Sequence, residues 1–122
     1  MIVAGFGFRK AATVASLRSA LDAQAAGHEI AALATAADKA TAQVFQDLSA
    51  ELGLRVMAIP AAVLGEQVII THSEVSISER NTGSLAEAAA LAAAGPGAQL
   101  LGPRAISTDR MATCALAEGG KT

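Results

Sequence analysis

The chain has 122 residues, 52% of them hydrophobic and 16% charged, with a formal net charge of −2. This length suits one domain over residues 1–122 with a core of its own, and the apolar fraction excludes a disordered chain. Aromatic content of 2%, all Phe, and the slightly acidic balance argue against a stacked-ring or broadly basic nucleic-acid reader.

In chain order, Ile2, Val3 and Ala4 form an unbroken apolar run, as a central strand covered on both faces does. Gly5 and Gly7 follow, and without Cβ atoms they let the backbone turn or approach a ligand closely. Arg9 and Lys10 stand at the exit of this first loop, just ahead of a helical pattern whose free N–H groups favour anions. The spacing predicts that helix over Ala12–Ala26, with Thr13 as N-cap, Val14, Leu17, Leu21 and Ala25 on one face, and Gly27 as its stop.

Ile30–Thr35 reads as a second strand that delivers another charged loop, Ala36-Ala37-Asp38-Lys39. A second helix opens at Thr41 or the residue before it and runs through Leu52, turning Val44, Phe45, Leu48 and Leu52 inward before Gly53. Leu54–Ile59 is a third strand ended by Pro60, and Ala61–Leu64 reads as one helical turn. Gln67–Ser78 fits a short strand or an irregular loop equally well. Ser84-Leu85-Ala86-Glu87 has the form of a capping box opening a helix to about Ala94, closed by Gly95-Pro96-Gly97. Gln99–Leu101 and Met111–Ala117 are the last strands, joined by the polar loop Gly102–Arg110, with Glu118–Thr122 as a frayed tail.

Strands alternating with helices predict an α/β fold, a three-layer α/β/α sandwich around a mostly parallel, mixed sheet of about five to six strands. Ligands of such sheets bind outside the carboxyl ends of the strands, which places Gly5–Lys10 and Thr35–Lys39 on one rim. Several chemistries fit poorly there. Gly5-Phe6-Gly7 begins a dinucleotide fingerprint, but Lys10 occupies the place of its third glycine, and neither a P-loop nor a nucleophile elbow occurs. His28 and His72 have no metal-ligating partner close in sequence, so no metal or cofactor is expected, and each reads as a surface or capping residue. Cys114 lies in an apolar strand, reads as a buried inert thiol, and as the single cysteine precludes an internal disulfide, which fits a reducing cytoplasm. No apolar stretch reaches the roughly 18 residues of a membrane span. Taken singly, Arg9, Lys10 and Lys39 would be solubilising rim charges. Grouped with the glycines of the first loop and with Thr35, they read as a grip for carboxylate or phosphate.

The order Gly-x-Gly-x-Arg-Lys after the first strand, Ala34-Thr35 with Lys39 and Ala40 after the second, Ser73-x-Val75, Ser84 to Leu91, and Thr113-Cys114-Ala115-Leu116-Ala117 resembles the cobalamin-biosynthesis family of CobE and the C-terminal domain of CbiG. Phe8 stands where that family often has Cys, and Ala11 where it has Gly. The resemblance implies a part in corrin ring formation by the aerobic route, acting on precorrin intermediates. Members that carry this domain within CbiG open a ring lactone and release a two-carbon fragment. A precorrin displays acetate and propionate carboxylates around an apolar macrocycle, and Gly5, Phe6, Gly7, Phe8, Arg9, Lys10, Thr35, Asp38 and Lys39 are the residues expected to hold it. Three roles follow: a carrier that binds, protects or hands on the intermediate; a hydrolase or lyase using Asp38, Asp109 or Ser107; or an adaptor docking onto a pathway methyltransferase. Whether Arg104 and Arg110 join the site is left open by the sequence, as are the intermediate bound and the oligomeric state.

Overall fold

The computed structural model describes residues 2–25, 27–60, 82–95, 97–101 and 104–119. Their order is β1 (Ile2–Phe8), α1 (Val14–Ala25), β2 (Ile30–Ala36), α2 (Ala37–Ala40), α3 (Gln43–Leu52), β3 (Arg55–Ile59), α4 (Thr82–Ala94), β4 (Gln99–Leu100), β5 (Ala105–Ile106) and β6 (Ala112–Glu118). The strands form one six-stranded sheet in the order β3-β2-β1-β6-β4, with β5 also paired to β6. β1 runs parallel to β2 and β2 to β3, whereas β6 is antiparallel to β1, β4 and β5. Among the described strands β6 alone is reversed, so the sheet is mixed yet mostly one-directional, as the α/β reading expects.

Side-chain alternation along β1 divides the core. Ala4, Phe6 and Phe8 point to the face covered by α1 and α3, where they pack with Leu17, Phe45, Leu48 and Cys114. Val3 lies on the other face, with Ala34, Ile59, Ala89 and Ala93. There α4 approaches unusually closely, because Ala86, Ala89, Ala90 and Ala93 bury only methyl groups. A Cβ on Gly5 would lie 2.5 Å from the Ala90 nitrogen and 2.8 Å from the Ala90 Cβ. The glycine is required by this helix and strand contact.

Gly5 and Gly7 are strand residues, against their reading as part of a loop. Both are inside β1, whose antiparallel ladder with β6 runs unbroken from Ile2↔Glu118 to Phe8↔Ala112. The same ladder takes Glu118 out of the expected frayed tail. Further boundaries differ, among them the start of α1 at Val14 rather than Ala12. Ala37–Lys39 is not a loop but part of the helical turn α2, and α3 starts at Gln43, because Ala42 and not Thr41 is its extended N-cap residue. α4 begins at Thr82, so Ser84 is inside the helix rather than at its cap. The polar loop Gly102–Arg110 contains β5, whose two residues pair with Cys114 and Thr113. The signals at helix ends hold elsewhere: Thr13 caps α1, and Gly27 and Gly53 take positive φ just past α1 and α3. The expected turn Ala61–Leu64 and the ambiguous segment Gln67–Ser78 lie outside the described residues.

Candidate functional site

Because β1, β2 and β3 are parallel, their carboxyl ends share one rim of the sheet, and the amino end of β6 lies there too. Three segments meet on this rim: Arg9–Thr13 leaving β1, Ala37–Ala40 leaving β2, and Ser107–Met111 entering β6. The backbone N–H of Arg9 donates to the Met111 carbonyl at 2.9 Å, so the first and third segments are joined directly. The Ala12 N–H donates to the Arg9 carbonyl at 3.0 Å, closing a turn that sends the chain straight into α1.

Arg9 and Lys10 are exposed at this turn. Neither side chain forms an ion pair among the described residues. Lys39 is committed differently. Its Nζ donates to the Phe8 carbonyl at 2.9 Å and stands 5.1 Å from the centre of the Phe8 ring, strapping the end of β1 to the turn after β2. Thr35 is fully buried and donates its hydroxyl to the Phe6 carbonyl at 2.9 Å. Asp38 is exposed in the first turn of α2.

Phe6 and Phe8 do not line the surface. Phe45 packs edge-on against Phe6 at 5.6 Å between ring centres and stacks on Phe8 at 5.7 Å. All three rings are buried, and they form a rigid floor behind the cations, at the base of Arg9. Gly5 and Gly7 likewise belong to the strand. Of the residues expected to hold a ligand, the structure therefore leaves Arg9, Lys10, Asp38 and part of Lys39 at the surface, and sets the others beneath them.

Whether the third segment joins this rim was left open by the sequence, and the structure brings it there through α1. Ser16, on α1, donates its hydroxyl to one Asp109 oxygen at 2.6 Å, and Ser107 donates to the other at 2.6 Å. The Met111 N–H adds a third donor at 3.0 Å. These hydrogen bonds, led by that from Ser107, hold the Asp109 carboxyl below its ordinary value, so it stays an anion at neutral pH. Ser16 also completes a reciprocal cap, its hydroxyl accepting from the Thr13 N–H at 3.1 Å while Thr13 Oγ1 accepts from the Ser16 N–H at 3.2 Å. The loop is thus clamped to the start of α1 by residues 93 apart in sequence, a pairing that only the tertiary fold creates. Arg110 adopts φ 62°, the only non-glycine residue with positive φ among those described. Arg104 is drawn elsewhere, 3.7 Å from Glu87 on α4.

Cys114 is buried within β6, and burial pushes its thiol far up, which matches the inert role expected of it. His28 is exposed beyond α1, and its N–H donates to the Ala25 carbonyl at 2.9 Å. His72 lies outside the described residues. Among the described residues no group of three His, Cys, Asp or Glu could hold a metal ion, and no helix is long and apolar enough to cross a membrane.

Comparison with known proteins places this geometry. The profile of the family described as "Cobalamin synthesis G C-terminus" matches residues 2–117. The crystal structure of cobalamin biosynthesis protein chiG from Agrobacterium tumefaciens is 31% identical, with a TM-score of 0.79, covering 99% of this chain and 100% of that one. That of CobE, a protein from the cobalamin biosynthetic pathway, is 33% identical, also with a TM-score of 0.79, covering 96% of this chain and 89% of that one. A cobalamin biosynthesis protein G homologue from Sulfolobus solfataricus shares the fold at 18% identity and a TM-score of 0.68, this chain matching 37% of its length. No curated protein sequence matches significantly. The family profile over nearly the whole chain, together with the two full-length structural relatives, shows that this protein belongs to the CobE/CbiG C-terminal family of cobalamin biosynthesis proteins.

Proposed function

We propose that the chain, acting as one domain in the cytoplasm, binds a precorrin intermediate of the aerobic route at the rim and hands it on. The observation that carries this reading is the exposed pair Arg9 and Lys10, without a counter-ion among the described residues, at the carboxyl end of the central strand. A precorrin carries its carboxylates on flexible arms around the ring. Arg9 offers one of them a planar two-pronged donor, and Lys10 a compact charge beside it. Lys39 has two donors left after its bond to the Phe8 carbonyl, and can add a third point of attachment at the edge of the same rim. The buried Phe6, Phe8 and Phe45 rings fix the backbone beneath these groups, so that little order has to be imposed when the ligand arrives.

A hydrolytic role has less support. Asp109 is bound to three donors that lower its carboxyl from the ordinary value, which suits holding a loop better than moving a proton. The test is to purify the protein from cells accumulating successive precorrins and to follow absorbance and mass over time. Co-purification of an unchanged tetrapyrrole is the expected result. A protein-dependent mass change would make it an enzyme, and absence of pigment with every intermediate would favour the adaptor.

A further inference from the structure

The hairpin turn between β5 and β6 places an arginine where its geometry favours glycine. The Arg110 N–H donates to the Ser107 carbonyl at 2.9 Å, closing a four-residue turn, and the Ser107 N–H donates to the Ala112 carbonyl at 2.8 Å. The residue that follows the two central positions of such a turn is left-handed, a conformation that Gly takes freely and Asn tolerates. Here it is Arg110, at φ 62°. A strained backbone persists only when its surroundings hold it, and such outliers gather at functional sites.

The surroundings hold this one firmly. Asp109, its neighbour, is tied to Ser16, Ser107 and the Met111 N–H. The Ser107 hydroxyl also accepts from the Ala112 N–H at 3.0 Å, and the Thr108 N–H donates to the Ser19 hydroxyl at 3.1 Å. The result separates two charges that are adjacent in sequence. The Asp109 carboxylate is occupied by the loop and by α1, while Arg110 is exposed and without an ion pair among the described residues. Its position is next to Arg9: the β1 and β6 ladder reaches Phe8↔Ala112, Arg9 bonds to Met111 on the following rung, and Arg110 is one residue further on. Arg9, Lys10 and Arg110 thus stand at adjoining positions of two chain segments joined by the Arg9–Met111 bond, and the one acid in the connecting loop is turned to another task.

We infer that Arg110 is a further carboxylate-binding residue of the rim, held in a strained backbone conformation so that its guanidinium faces the same ligand as Arg9 and Lys10. This rests on the proposed tetrapyrrole reading and names the ligand feature involved: carboxylate arms spaced widely enough to reach both segments. The strain gives a test in which folding and binding move in opposite directions. Arg110→Gly and Arg110→Asn suit the turn, so their thermal midpoints should equal or exceed that of the wild type. Affinity for a soluble corrin polycarboxylate, dicyanocobyrinic acid, followed by absorbance titration, should fall about tenfold in both, as loss of a charge-assisted hydrogen bond does. Arg110→Lys should recover part of it, and the fully esterified probe should show no difference between variants. Wild-type affinity in Arg110→Gly, with Arg9→Ala weakened, would overturn the role of Arg110 and leave the tetrapyrrole reading intact. Failure of the wild type itself to bind the probe would overturn both.

Discussion

Gly5 and Ala90 meet backbone to backbone: a Cβ on Gly5 would lie 2.5 Å from the Ala90 nitrogen and closer still to the carbonyl oxygen of Ala86. Gly→Ala in a strand ordinarily gains stability by restricting the unfolded chain. Here the sign should reverse, because the atoms in the way are helix backbone and cannot swing aside. Gly5→Ala is expected to lose about 3 kcal/mol or more, read from urea unfolding. Ala90→Gly in the same chain should restore little, since it removes a methyl group and leaves the obstructing peptide in place.

This contact also shows what the residues could and could not reveal. Thr13, Gly27 and Gly53 act through bonds and dihedrals local to a helix end, so they could be read in isolation. Gly5 and Gly7 looked like a loop because a glycine in a strand has the same letter as a glycine in a turn. Only the arrival of α4, some eighty residues later by sequence number, distinguishes Gly5, and only the pairing with β6 distinguishes Gly7. β5 was missed because two residues in a polar segment carry no period, and their pairing with Cys114 and Thr113 is supplied by β6. On the rim, Arg9, Lys10 and Lys39 were legible as charges at strand exits. The bond between Ser16 and Asp109 was not, since nothing local links them.

Asp109 should make the hairpin clamp depend on pH. Its carboxyl is held below the ordinary value of 3.8 in the folded protein by hydrogen bonds from Ser107, Ser16 and Met111. A lowered carboxylate contributes stability that is fully present above the unfolded-state value and is lost as pH falls through the folded one. Asp109→Asn is therefore expected to lower the urea midpoint at pH 7, with the difference from wild type shrinking below about pH 4. An equal gap at acidic and neutral pH would show that the anion contributes nothing.

Phe45 contacts both aromatic residues of β1 and is fully buried. Phe45→Ala should destabilise the protein by about 3–5 kcal/mol, through lost burial and the cavity left behind. Phe45→Leu should cost much less, and its thermal unfolding provides the comparison.

Lys39 has a structural duty that a freely exposed lysine would lack. Lys39→Met keeps the stem and removes the donor to the Phe8 carbonyl, and should cost about 1–2 kcal/mol in denaturant unfolding. Lys10→Met, which breaks no bond among the described residues, should be close to neutral. Equal effects of the two would remove the distinction drawn between a strap and a grip.

The most direct measurement is the affinity of the Arg9→Ala/Lys10→Ala double variant for dicyanocobyrinic acid, beside the wild type and at low and high salt. The expected result is binding about tenfold or more weaker at low salt, with an unchanged thermal midpoint and a wild-type affinity that itself falls as salt screens the charges. Wild-type affinity in the folded double variant would contradict the rim as the place where the ligand's carboxylates are held.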